Sequence, residues 1–250
     1  MLKPLIALYF FILGAIQLGL WIGLYRTYQA NNLVKPSKYW ITSLVANITA
    51  LFIFGYGVLS VEDVSRPQFN FTIANTLFYI AALAQFLFCK SLNQPISHRF
   101  DLWAKISIIP FLIIFESLRQ FGNFETRTTY MVLLAMLMFS FQIYEIQRFK
   151  RREPSPQLTY MQIATGIELF FAITRMVILI IGTVSIQKVD QLPQILIFST
   201  IAQLVANTLA YIAISSYWTE KMAISRAVAL SENQVVKNLL SERDELISSL

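Results

Sequence analysis

Charge is the first thing this sequence lacks. Only 14% of its 250 residues are Asp, Glu, Lys or Arg, 56% are apolar, and the mean hydropathy is +0.57. A soluble domain carries charge at roughly a quarter of its positions, so a water-soluble globular class is excluded and a membrane class indicated. Cys89 is the only cysteine, which rules out an intramolecular disulfide and any thiolate metal cluster. The only histidine, His98, sits in a loop beside Arg99 and Asp101, so no histidine ligates haem or a metal within the membrane. No lysine lies in the last apolar run, leaving no attachment point for a retinal Schiff base. Walker loop, nucleophile elbow and paired intramembrane carboxylates are missing too. The sequence predicts no catalytic residue, no metal, no cofactor and no nucleic-acid partner.

Glycine and proline are both absent from residues 194–250, although the chain passes there from oily to charged. Without a breaker these residues predict one helix on the order of 85 Å long, at ~1.5 Å per residue, against a bilayer core of about 30 Å. Such a rod joins events in the membrane to something outside it.

Seven runs are apolar and long enough to cross a bilayer: 4–25, 39–60, 70–89, 102–118, 128–147, 159–184 and 194–218. The fourth is the weakest, because Pro110 interrupts it and Glu116 lies near its end; a kink is expected there. Twelve cations, among them Arg26, Lys90, Arg99, Arg148, Arg151 and Lys221, fall on one set of linkers and the adjoining tail; five, Lys3, Arg66, Arg119, Arg127 and Lys188, fall on the other. The positive-inside rule then places the amino terminus outside and the long tail in the cytoplasm. The organisation expected is an all-α seven-helix transmembrane bundle over 1–218, its last helix continuing into a cytoplasmic coiled coil over 219–250. The outer loops are only about ten residues or shorter, so any ligand binds among the helices or at their outer rim.

Glu168 and Arg175 stand seven residues apart in the sixth span. Seven steps of about 100° return to nearly the same helix face, roughly 10 Å further along. Ionisable groups at such depth usually point into the bundle or a wet cavity. Arg175 is expected to pair with Glu116 of the fourth span, making a polar pocket open to the outside for a small molecule with an anionic group. A buried ion pair that only fixes helix packing is the plain alternative. Gln203 and Asn207 share one face of the seventh span and, with Gln17, Asn47, Asn75, Gln85 and Gln142, serve as interhelical glue or as ligand contacts on the rod itself. Among 35 aromatic residues, Tyr39, Trp40, Trp103, Tyr217 and Trp218 fit interfacial belts. Phe52, Phe54, Phe78, Phe86, Phe88, Phe170 and Phe171 lie deeper, facing lipid or an apolar pocket. Gly19 and Gly23 form a GxxxG pair that serves packing within the bundle or between copies.

Beyond Lys221 the tail turns amphipathic. Val236, Leu240, Arg243, Ile247 and Leu250 follow coiled-coil spacing; so do Val236, Leu239, Arg243, Leu246 and Leu250. Two overlapping seams let a small rotation exchange one packing for another in a parallel homodimer; an amphipathic helix docked onto the chain's own inner loops is the plain alternative. The stretch LLSERDELISSL, 239–250, resembles the membrane-proximal signalling helix of bacterial sensor histidine kinases. Seven spans ahead of an inward tail match the seven-helix sensor regions placed before some of these kinases. The resemblance implies a two-component sensor in the bacterial inner membrane, without the phosphoacceptor histidine and ATP-binding domain within these residues; His98, between spans, cannot stand in. A hydrophobic or small-molecule signal is the implied partner, with the bilayer and a second copy. A small-solute transporter or channel and a passive dimerising anchor are the alternatives.

Overall fold

The computed structural model describes residues 2–29, 36–64, 66–181, 186, 188 and 191–248. Regular structure among them is entirely helical: α1 (Leu2–Gln29), α2 (Lys38–Ser60), α3 (Asn70–Asn93), α4 (His98–Ile106), α5 (Ile108–Phe121), α6 (Phe124–Lys150), α7 (Pro156–Ile181) and α8 (Gln194–Ser248). Six of these, all but α4 and α5, are long and apolar enough to cross a bilayer. The chain is therefore a multi-span membrane protein.

The fourth expected span is the correction. It is built from α4 and α5, of 9 and 14 residues, joined at Ser107. Pro110 explains the join, because it has no N–H to offer the carbonyl of Ile106 and its ring crowds that oxygen. Ser107 keeps helical angles, φ −62° and ψ −16°, and its N–H still reaches Trp103 O at 3.0 Å. The pair is thus a kinked rod. It runs the full length of the bundle, as its partners on α2, on α3 and just ahead of α3 show. Tyr39 at the start of α2 meets Asp101, Tyr79 meets Ser107, Thr72 meets Glu116, and Arg119 reaches Pro67 O. Consequently α3 and α6 lie parallel, with Asn93 bonded to Glu145 at one end and Arg127 to Val64 O at the other. Among the described residues the bundle is traversed seven times, six times by single helices and once by this pair.

Helices α1, α2, α3, α6, α7 and α8 form a closed ring, each packed on the next and α8 returning onto α1, while α5 lies outside against α3 and α6. Ring stacking of Tyr79 on Phe111, centroids 4.3 Å apart and 3° from parallel, seats α5 there. We call the end carrying residues 61–69 and 119–127 the head end and the end where α8 departs the tail end. The tail-end core holds Trp40, Phe88, Leu158, Met161, Tyr211 and Tyr217. The head-end core holds Ile6, Phe10, Leu51 and Val58. Outward faces carry large apolar side chains such as Phe121, Ile180 and Ile113, exposed by 88%, 74% and 62%, a surface suited to lipid rather than water.

α1 approaches α2 closely at Gly55, where a Cβ would stand 2.9 Å from the Phe11 ring and 3.1 Å from Phe10 Cβ. The GxxxG pair has no such role: a Cβ on Gly19 or Gly23 would meet nothing within 4 Å. α8 runs for 55 residues without a break. Among the described residues its last deeply buried side chain is Met222, and Lys221 is tied by a salt bridge to Glu153 beyond α6. Past that point Val228, Val236, Leu239 and Leu240 are exposed. Leu250 lies outside the described residues, as do the side chains of Leu246 and Ile247.

Candidate functional site

The ring encloses a polar centre built from one face of each of several helices. Gln17 of α1 donates to Thr208 Oγ1 at 2.9 Å and accepts from Asn47 Nδ2 at 2.8 Å. The same amide of Asn47, on α2, donates to Asn207 Oδ1 at 2.9 Å. Asn207 in turn donates to Glu168 Oε1 at 2.8 Å. Four helices are thereby stitched by side chains alone, and Gln17, Asn47 and Glu168 are exposed by 1%, 4% and 0%. One turn earlier on α8, Gln203 Oε1 accepts from Arg175 Nη1 at 2.9 Å. One turn later, Tyr211 Oη lies 2.6 Å from Ser43 Oγ. Since Ser43 spends its single hydrogen on Ala81 O at 2.7 Å, the tyrosine is the donor. Polar groups buried away from water are nearly always paired in this manner.

Three polar atoms on the lumen are not paired. Glu168 Oε2, Gln85 Nε2 and Arg175 Nε have no hydrogen-bond partner among the described residues. All three residues line a cavity of about 180 Å³, together with Asn47, Gln203 and Asn207. A second cavity of about 210 Å³ adjoins it toward the head end, with mostly apolar walls including Ile6, Val58, Phe71, Phe115 and Ile197, and with Arg127 also lining it. Phe10, Phe54, Asn75, Met131, Arg175 and Thr200 line both. Arg175 therefore stands at the junction of a polar chamber and an apolar one.

The expected pairing of Arg175 with Glu116 does not form. Glu116 accepts from Arg119 Nη2 at 2.5 Å and Nε at 2.9 Å, from Thr72 Oγ1 at 2.7 Å and from Gln120 at 2.7 Å. A cation three residues along the same helix reaches the carboxylate with no tertiary help, whereas α5 sits outside the ring that holds Arg175. Glu116 lines neither chamber. The other four candidates, Glu168, Arg175, Gln203 and Asn207, converge on one lumen. Glu116 instead clamps α5 and the 67–72 segment. Single Glu116→Gln and Arg119→Met variants should therefore couple in a double-mutant cycle of thermal unfolding by about 1 kcal/mol, with the lumen unaffected. Independent effects would mean that the pair does not hold this crossing.

Of the deep phenylalanines, Phe54 and Phe78 line the polar chamber. Phe52 packs on Phe11, Phe88 is buried in the tail-end core, and Phe170 faces outward at 62% exposure. Sequence reasoning passed over Phe10, Ser43, Thr208 and Tyr211. Spacing carried a signal for two of them: Ser43 stands one turn from Asn47, and Gln203, Asn207 and Tyr211 form a single i, i+4 stripe. Nothing local marks Phe10 or Thr208 as inward-facing. The chain matches no protein-family model, no curated protein and no solved structure.

Proposed function

We propose that this protein is the sensing module of a bacterial inner-membrane two-component sensor, its amino terminus outside and its tail cytoplasmic. A molecule held in the lumen biases how α7 and α8 pack, and α8 carries that bias to a kinase output domain. One observation carries the reading: Gln203 and Asn207, which line the polar chamber, belong to the same unbroken helix as the amphipathic tail. A ligand shifts such an equilibrium only through different affinity for the two packings. Groups on α8 that hold Arg175 and Glu168 supply that difference, because moving α8 by a fraction of a turn breaks both bonds. The clustering of cations at the tail end supports the orientation, and the exposed Val236, Leu239 and Leu240 support pairing with a second copy through either seam, with Arg243, Leu246, Ile247 and Leu250 completing them. No reaction is assigned to these residues; chemistry belongs to the output domain.

Single cysteines at 235–240 test this. Cys89 is fully buried, so it leaves the background clean. Disulfide cross-linking should peak every three to four positions, and the peak should move when Gln203→Trp fills the polar chamber. Absence of cross-links at every position removes the dimer. Identical patterns with the chamber filled and open remove transmission, leaving a passive anchor.

A further inference from the structure

The lumen has two halves of different chemistry meeting at Arg175, and this division states what fits there. The inner half offers donors at Gln85 Nε2 and Arg175 Nε and an acceptor at Glu168 Oε2, each without a partner among the described residues. The outer half, toward the head end, presents Ile6, Val58, Phe71, Phe115 and Ile197. Together the cavities, about 210 and 180 Å³, fall within the roughly 300–1,000 Å³ of small-molecule sites. Glu168 and Arg175 line the polar chamber as one acid and one base, and Arg127 at the outer half already donates to Gly122 O and Val64 O, which favours an uncharged head over an ionic one.

Resting on the reading of the lumen as the sensing site, we infer that it takes an uncharged amphiphile. Its head bears a carbonyl and a neighbouring O–H or N–H donor, and its tail is a single apolar chain. The head lies inward, its carbonyl accepting from Gln85 and Arg175 and its donor directed at Glu168. The chain lies outward, against Phe54, Phe115 and Ile197. Desolvating the unpaired donors and acceptor without such a head is costly, so a plain hydrocarbon is rejected by the inner half; a head without a chain leaves the outer half unfilled.

N-(2-hydroxyethyl)decanamide has this form and serves as the probe, measured by equilibrium binding to the purified chain in nanodiscs, with empty nanodiscs subtracted. The expected result is saturable binding at one probe per chain. Decane, N-(2-hydroxyethyl)acetamide and decanoate should each bind at least tenfold more weakly. Gln85→Met, which removes an unpaired donor and leaves the network from Gln17 to Glu168 intact, should weaken the probe by about tenfold. Ile197→Trp should abolish binding by filling the outer half; elution volume and thermal unfolding verify that each variant is folded. Binding that never saturates, decanoate binding as well as the amide, or indifference to both folded variants overturns the inference. The readout makes no use of the tail. Probe binding with unmoved cross-links keeps this site and sinks the sensor reading; moved cross-links without probe binding do the reverse.

Discussion

Replacing Ala227 by proline is expected to uncouple the tail from the bundle while leaving the lumen as it is. Ala227 is exposed and lies between Met222, the last deeply buried among the described residues of α8, and Val236, where both seams begin. Proline there removes the hydrogen bond to the carbonyl of Ala223 and drives its ring against that oxygen, costing about 3 kcal/mol or more and kinking the rod. No tertiary packing is lost, so probe binding in the chambers should match that of the unaltered chain. The shift in cross-linking at 235–240 that chamber filling produces should disappear. Ala227→Gly, which costs roughly 1 kcal/mol of helix propensity without a kink, should keep the shift. A proline variant that transmits as before would show that information leaves the membrane by some route other than α8.

The second large effect concerns how tightly α1 closes the ring. Gly55→Leu should lower the unfolding free energy in detergent by roughly 1–3 kcal/mol or prevent folding, the range for overpacked interiors. The new Cβ alone would come within 2.9 Å of the Phe11 ring and 3.1 Å of Phe10 Cβ. Moving Phe10 away is not free either, since it stacks on Phe54 at 4.8 Å and lines both chambers. Gly19→Leu is the matched control. A Cβ there meets nothing within 4 Å, so the change should not destabilise, and helix propensity favours it by up to about 0.8 kcal/mol. Equal losses from the two would mean that the approach of α1 to α2 does not limit this bundle. The contrast also separates two glycines that look alike in sequence: the one in a recognised motif is spacious, and the unremarked one is tight.

Much of the architecture was legible because it depends on properties that accumulate along a helix. Five of the expected spans appear as continuous helices within a few residues of their expected ends, and the last appears as one helix that starts as expected and runs well past residue 218. The fourth, weakened by Pro110, appears as a kinked pair at the place where proline removes a hydrogen bond. The common face of Glu168 and Arg175 was legible too, since a seven-residue step is fixed by helix geometry. Partner assignment was where reasoning from residues failed. Two opposite charges near the same expected depth suggested Glu116 with Arg175, yet Arg119, three residues from Glu116, satisfied it locally. The local option was visible in the sequence, and short-range partners need no fold to meet.

Composition, the missing breakers and the spacing of polar residues thus determined by themselves that the chain is helical, repeatedly spans a membrane and carries one unbroken helix well beyond the length of a single span. These features come from backbone hydrogen bonding in lipid and from helical periodicity, both local. Only the tertiary structure decided that α4 and α5 stand outside a six-helix ring, that Gln17, Asn47, Glu168 and Asn207 join into one network, and that a polar chamber opens onto an apolar one at Arg175. Periodicity gives each helix a polar face but not the neighbour that face meets. The neighbour is chosen by packing every helix at once, and a cavity exists only as the space this packing leaves.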